Sequence, residues 1–244
     1  MSNNYSTPES ALVSVEAAEG SLEAGIAGDY EFKVFDVLSE AWERTKGVKL
    51  FIIGGGIAMI AISMVMAFVL SFLIGLVGAV LHVPMLAVAG TFIAQVLSNI
   101  VTMPIAAGIF VICLKQVQDR GTDFGEVFSH FDKAIPLFLT FLLLYILMVI
   151  GFLLFIIPGI YLAVSYVLAL PLVIDRNLSP WEALEASRKA LTKRWFSVFG
   201  LLLMMGLIMM VSMIPFGIGL IWTAPMMALS YAVLYRQVFG IANY

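Results

Sequence analysis

Residues 50–81 read LFIIGGGIAMIAISMVMAFVLSFLIGLVGAVL and residues 84–114 read PMLAVAGTFIAQVLSNIVTMPIAAGIFVICL, and neither run contains a charged side chain. A hydrocarbon core about 30 Å thick is crossed by about 20 helical residues, so each run is long enough for one crossing. His82 and Pro84 interrupt them, which reads as the turn of a hairpin. Two further runs repeat the arrangement. Residues 137–174 break at Pro158-Gly159 and residues 196–235 break at Pro215-Phe216-Gly217. The expected fold is therefore an all-α polytopic membrane bundle of six transmembrane helices in three hairpins. The fourth span, Ile160 to Ile174, is short and the first two are long, so local thinning of the bilayer is expected there.

Composition agrees with this class. The chain has 244 residues, of which 62% are hydrophobic and 12% charged, with a mean hydropathy of +1.05. That leaves too little polar surface to cover a water-soluble globule, so a soluble enzyme is excluded. The single cysteine, Cys113, excludes an internal disulfide and a cysteine metal cluster, and His82 and His130 are too few for a zinc site without carboxylates. No metal, cofactor or nucleic-acid partner is expected.

Residues 1–30 carry Glu9, Glu16, Glu19, Glu23 and Asp29 without a lysine or arginine. They lack the basic start and apolar run of a signal peptide and read as a disordered acidic cytoplasmic tail before a transmembrane domain at 31–244. Orientation follows from the basic residues, which are retained on the cytoplasmic side of a membrane. Lys33, Arg44, Lys46 and Lys49 precede the first span, and Lys115, Arg120 and Lys133 separate the second from the third. Arg176, Arg188, Lys189, Lys193 and Arg194 separate the fourth from the fifth, and Arg236 ends the sixth. All 13 fall on one side, which makes both termini cytoplasmic.

Each hairpin follows an amphipathic stretch, expected to be a cytoplasmic helix. Phe35, Leu38 and Trp42 share a face in the first, Phe124, Phe128 and Phe131 in the second, and Trp181, Leu184, Leu191 and Trp195 in the third. Ser179-Pro180 with Glu182 has the pattern of an N-cap, a proline at the first helical position and a capping box. The second helix of each pair holds a proline: Pro104, Pro171 and Pro225. Thr102-Met103-Pro104 precedes Lys115-Gln116 at the spacing by which Thr223-Ala224-Pro225 precedes Arg236-Gln237, as a duplicated unit would.

Three constellations are candidate interaction sites. Ser63, Ala67, Ser71, Gly75 and Ala79 in the first span and Gly90, Ala94, Ser98, Thr102 and Ala106 in the second form ladders of small residues at four-residue steps. Such ladders let helix backbones approach where lipid removes the hydrophobic drive, so they predict a packing seam, with dimerisation as the alternative use. Thr91, Gln95 and Asn99 form a polar strip expected to face the bundle interior, as hydrogen-bonding glue or as a substrate path. Trp181, Arg188, Lys189, Lys193, Arg194 and Trp195 are expected at lipid headgroups. No span carries a Lys, Arg, Asp, Glu or His near its centre, which argues against pumps, proton-coupled carriers and intramembrane proteases.

Gly121, Asp123, Phe124, Gly125 and Phe128, then Ile157-Pro158-Gly159-Ile160-Tyr161, then Pro171, Asp175 and Leu178-Ser179-Pro180-Trp181-Glu182-Ala183 with Ser187, resemble a group of bacterial six-helix membrane proteins. These are the membrane domain fused to some glycerophosphodiester phosphodiesterases and its stand-alone relatives. The resemblance covers residues 31–244 and implies a multi-pass plasma-membrane protein, with no catalytic residues to carry over. The segment before residue 50 is too short for a phosphodiesterase domain. The function expected is a non-enzymatic membrane component engaging lipids or a partner protein, in envelope maintenance or as an accessory subunit, with homo-oligomers allowed. The competing expectation is a passive transporter or channel for a neutral or amphipathic substrate.

Overall fold

A computed structural model describes residues 20–83 and 85–244; the expected tail up to residue 19, and Pro84, lie outside the described residues. The elements are α1 (Leu22–Ala27), α2 (Val34–Glu43), α3 (Lys49–Val80), α4 (Met85–Val117), two 3-10 turns (Phe124–Phe128 and Phe131–Lys133), α5 (Ala134–Leu154), α6 (Ile156–Ser165), α7 (Ala169–Arg176), α8 (Pro180–Lys193), α9 (Trp195–Met213) and α10 (Leu220–Phe239). The protein is an all-helical, multi-span membrane bundle. Among the described residues, five helical stretches are long and apolar enough to cross a membrane: Lys49–Val80, Val88–Val117, Phe124–Leu154, Ile156–Arg176 and Trp195–Met213. Helix α10 is not among them. Thr223, Ser230, Tyr231, Tyr235, Arg236 and Gln237 dilute its apolar character, and it is the most enclosed long helix, with Pro225 to Met227 and Leu229 to Ser230 buried and Ala232 to Arg236 sealed behind them.

Several local expectations shift. Residues 20–30 are not a solvated tail: Ser21 caps α1, the Gly20 amide bonds to the Arg236 carbonyl, and Tyr30 is buried with its hydroxyl donating to the Ala190 carbonyl at 3.1 Å. Burial pushes the Tyr30 hydroxyl up to about 12. The break after α5 lies at extended Phe155, not at Pro158-Gly159. Pro158 occupies the first turn of α6, where a missing N–H costs nothing, and Gly159 lets that turn lie against Phe152. The Pro215-Phe216-Gly217 turn forms as expected, with Phe216 and Gly217 both left-handed. The expected fourth span is two helices, α6 and α7, interrupted at Tyr166 to Leu168. The second amphipathic stretch forms 3-10 turns instead of an α-helix, with Val127 buried while Phe124, Phe128 and Phe131 face outward.

The amphipathic stretches pack cyclically. The stretch that leads one helix pair lies on the second helix of the pair before it: the 3-10 turns on α4, α8 on α6 and α7, and α2 on α10. In two of these contacts a leader glutamate meets a base placed eleven residues after the helix proline. Lys115 pairs with Glu126 at 2.8 Å, and Arg236 pairs with Glu40 at 2.9 Å while donating to the Val117 carbonyl at 3.1 Å. In the third, Ser187 of α8 donates to the Ser165 carbonyl at 2.8 Å and accepts from the Leu168 amide at 3.3 Å, which satisfies backbone groups freed by the α6–α7 break. On α2 the buried face is Val37, Leu38 and Ala41, leaving Phe35 and Trp42 exposed.

Helix α8 starts as its sequence dictates. Ser179 and Glu182 close the capping box, and Pro180 stands at the first helical position. Hydrogen bonds from Ser179 hold the Glu182 carboxyl below the usual range. Ser179→Ala is expected to cost about 1 kcal/mol, read as a lower unfolding midpoint with the helix content of the folded protein unchanged.

Candidate functional site

Helices α4, α5, α7 and α10 enclose a cavity of about 460 Å³. Met103, Ala106, Ala107 and Phe110 of α4 form one wall, Leu170, Pro171 and Ile174 of α7 a second, Ala228 and Tyr231 of α10 a third, and Leu137 of α5 closes it. Small residues create the space. Ala106, Ala107 and Ala228 stand where larger side chains would fill it, and the short α7 begins only at Ala169, so the irregular Val167 also lines the wall. Ala106 is exposed and Leu137 and Ile174 are buried, so the cavity opens on the Ala106 side and closes at the other. Tyr231 is the one lining residue with a polar side-chain atom.

Next to Ile174 lies a polar cluster. Asp175 is fully buried; its carboxylate accepts from the Tyr235 hydroxyl at 2.8 Å and from the amides of Ala242 and Asn243 at 3.1 and 3.0 Å. Arg176 donates to the Phe239 carbonyl, and its Nε lies 3.9 Å from Asp175. His130 bonds through Nε2 to the Tyr244 hydroxyl at 3.0 Å and through Nδ1 to Ser129 at 2.9 Å, and Lys133 donates to the Ile174 carbonyl. The segment after α10 is thereby folded back against α7 and the second 3-10 turn. Phe110 meets Tyr235 edge-on with ring centroids 6.0 Å apart, which joins the apolar wall to the polar cluster.

On α4 part of the small-residue ladder faces α3. Gly90, Ala94 and Ser98 are buried, and a Cβ on Gly90 would stand 2.7 Å from Ile74, so α3 and α4 touch there. Thr102 is half-buried and bonds back to the Ser98 carbonyl, whereas Ala106 belongs to the cavity mouth. On α3 the ladder is looser. Ser63, Ala67 and Ser71 are half-buried, Gly75 has nothing within 4 Å of a built Cβ, and Ala79 is exposed; Ile74 supplies the close contact to Gly90 instead. The polar strip does not face the interior. Thr91 and Gln95 are exposed, and Asn99 is half-exposed, because the seam at 90, 94 and 98 turns positions one residue onward by about 100°. Thr91 and Asn99 satisfy themselves on their own helix, bonding to the Val88 and Gln95 carbonyls.

The expected headgroup contacts on α8 are largely engaged within the protein. Arg188 makes two bonds to Glu185, at 3.0 and 2.8 Å, which raises the guanidinium pKa further. Lys189 reaches the same carboxylate at 3.4 Å, Arg194 pairs with Glu31 at 3.1 Å, and the Lys193 stem packs against Gly28. Trp195 stacks on Phe199 and donates to the Tyr161 carbonyl, whereas Trp181, Lys189, Lys193 and Arg194 are exposed. Among the described residues, no three His, Cys, Asp or Glu side chains gather as metal ligands. No family model, curated protein or solved structure matches the chain.

Proposed function

We propose that this chain is a non-enzymatic, multi-pass component of a bacterial plasma membrane that engages lipid, taking one hydrocarbon chain into the cavity between α4, α5, α7 and α10. The cavity carries the reading. Its size lies within the range of about 300–1,000 Å³ occupied by small-molecule sites, and a buried water needs two to four polar partners, which a wall with one hydroxyl does not offer. In a bilayer, the matching occupant of an apolar space open at one side is an acyl chain.

On this reading α10 is the sixth crossing, the helices form three hairpins, and both termini are cytoplasmic, as the one-sided placement of the basic residues supports. Kinship with the membrane domain fused to glycerophosphodiester phosphodiesterases is part of the proposal, as is service in envelope maintenance or as an accessory subunit. The passive-path alternative has lost its main support, since Thr91 and Gln95 of the strip are exposed on the outer face. Native mass spectrometry of the protein released from nanodiscs tests the reading. A single lipid should remain bound to the unaltered chain and be lost from Ala106→Trp, whose ring would fill the mouth. Equal retention by both would overturn it.

A further inference from the structure

On α8, Arg188 and Lys189 meet Glu185 and Lys193 stands singly, whereas two bases without a carboxylate partner share one recess elsewhere. Where α2 turns into α3, Trp42, Thr45, Lys46, Gly47, Lys49 and Trp222 surround a recess of about 300 Å³. Neither lysine has an ion-pair partner among the described residues, in contrast to Arg44, Arg188, Arg194 and Arg236, each of which meets a carboxylate. The Lys49 ammonium lies 4.1 Å above the Trp222 ring, a cation–π contact that fixes its position without neutralising it.

The elbow is preorganised. Gln116 of α4 donates its amide protons to the carbonyls of Arg44 and Lys46 at 3.0 and 3.1 Å, and Thr45 bonds back to the carbonyls of Ala41 and Trp42. Gly47 adopts a left-handed φ of 96° with nothing within 4 Å of a built Cβ, which keeps the floor of the recess open. Trp42 and Trp222 are both about half exposed, and Leu50, the next apolar residue of α3, is 77% exposed. Two tryptophans, two free ammonium groups and a lipid-facing helix at one point have the composition of a membrane interface.

We propose that this elbow is a binding site for the phosphate of an anionic phospholipid, with Lys46 and Lys49 contacting the phosphate and Trp42 and Trp222 bracketing the glycerol region. A lipid is favoured over a free anion because the recess lies at the foot of an exposed apolar helix. The proposal rests on the lipid-engaging reading above, yet it concerns headgroup charge and not the chain cavity, so each can fail alone.

The test uses the full chain in nanodiscs containing either brominated phosphatidylglycerol or brominated phosphatidylcholine, with tryptophan quenching as readout. The anionic lipid should quench more strongly and with higher apparent affinity. Lys46→Gln with Lys49→Gln should reduce that preference by roughly fivefold per lysine, while Lys46→Arg with Lys49→Arg retains it and Lys189→Gln with Lys193→Gln leaves it unchanged. Unchanged preference in the Lys46/Lys49 glutamine variant, with quenching by phosphatidylcholine intact, overturns the proposal. Competition by millimolar inorganic phosphate also overturns it, because the site would then take a free anion. The ratio of the two lipids is independent of whether Ala106→Trp expels a chain, which separates this outcome from failure of the cavity reading.

Discussion

Asp175→Ala is expected to destabilise the bundle by about 3–5 kcal/mol, the scale on which a buried charged network loses one partner. The carboxylate is fully enclosed and accepts three donors, the Tyr235 hydroxyl and the amides of Ala242 and Asn243. Alanine leaves all three without this partner, and the buried Tyr235 hydroxyl bears the full desolvation cost. The damage should be directional. Tyr235 would lose its anchor beside Phe110, and residues 240–244 would detach from α7. Chemical unfolding in detergent measures the first effect, and protease cleavage after α10 in the folded protein measures the second. Asp175→Asn, which keeps one acceptor oxygen, should lose less on both scales. A loss below about 1 kcal/mol for the alanine variant, the worth of one ordinary hydrogen bond, would show that this cluster does not hold the segment.

Gly108→Ala is the second large effect, from a change of one methyl group. A Cβ at position 108 would lie 2.5 Å from the carbonyl oxygens of both Glu126 and Val127, and these are backbone atoms that cannot rotate away. The 3-10 turn carrying them is tied to the same helix by the Lys115–Glu126 ion pair and by buried Val127. Helix α4 or the turn must therefore shift, at a cost of about 1–3 kcal/mol. Gly56→Ala and Gly200→Ala are internal controls. Both glycines sit in helices with nothing within 4 Å of a built Cβ, so alanine should stabilise them by about 0.5–1 kcal/mol through lost unfolded-state freedom. Thermal unfolding of the three variants in one detergent compares them, and equal behaviour at 56 and 108 would contradict the packing of α4 against the turn.

What was legible in the sequence follows from what sequence patterns encode. Uncharged runs and turn residues reveal spans, so α3, α4, α5 and α9 were readable, as was the start of α8 from Ser179, Pro180 and Glu182. Helix α10 was readable as an apolar segment, but its enclosed position was not, since polar residues that pack inward and polar residues that weaken a span look alike. The strip at 91, 95 and 99 was misplaced for a geometric reason: it differs from the true seam by one residue, and four-residue periodicity is the same for both. Asp175 beside Arg176 reads as a headgroup pair at a helix end. Its inward turn depends on Tyr235 and on amides 67 and 68 residues later. The cavity has no direct sequence signature, because it is made by alanines whose partners are chosen in three dimensions. Likewise Lys46 and Lys49 look no different from Arg188 and Lys189 of α8 until the position of Glu185 is known.

On the proposed function a lipid chain occupies the space between α4, α5, α7 and α10. Photocrosslinking in nanodiscs with a phospholipid carrying a diazirine along its acyl chain, followed by mass-spectrometric mapping, tests this most directly. Adducts on Met103, Leu170 or Tyr231, abolished by Ala106→Trp, are the predicted result. Adducts confined to the outward faces of α3 and α4, at Phe68 or Phe92, with none on the cavity wall, would contradict it.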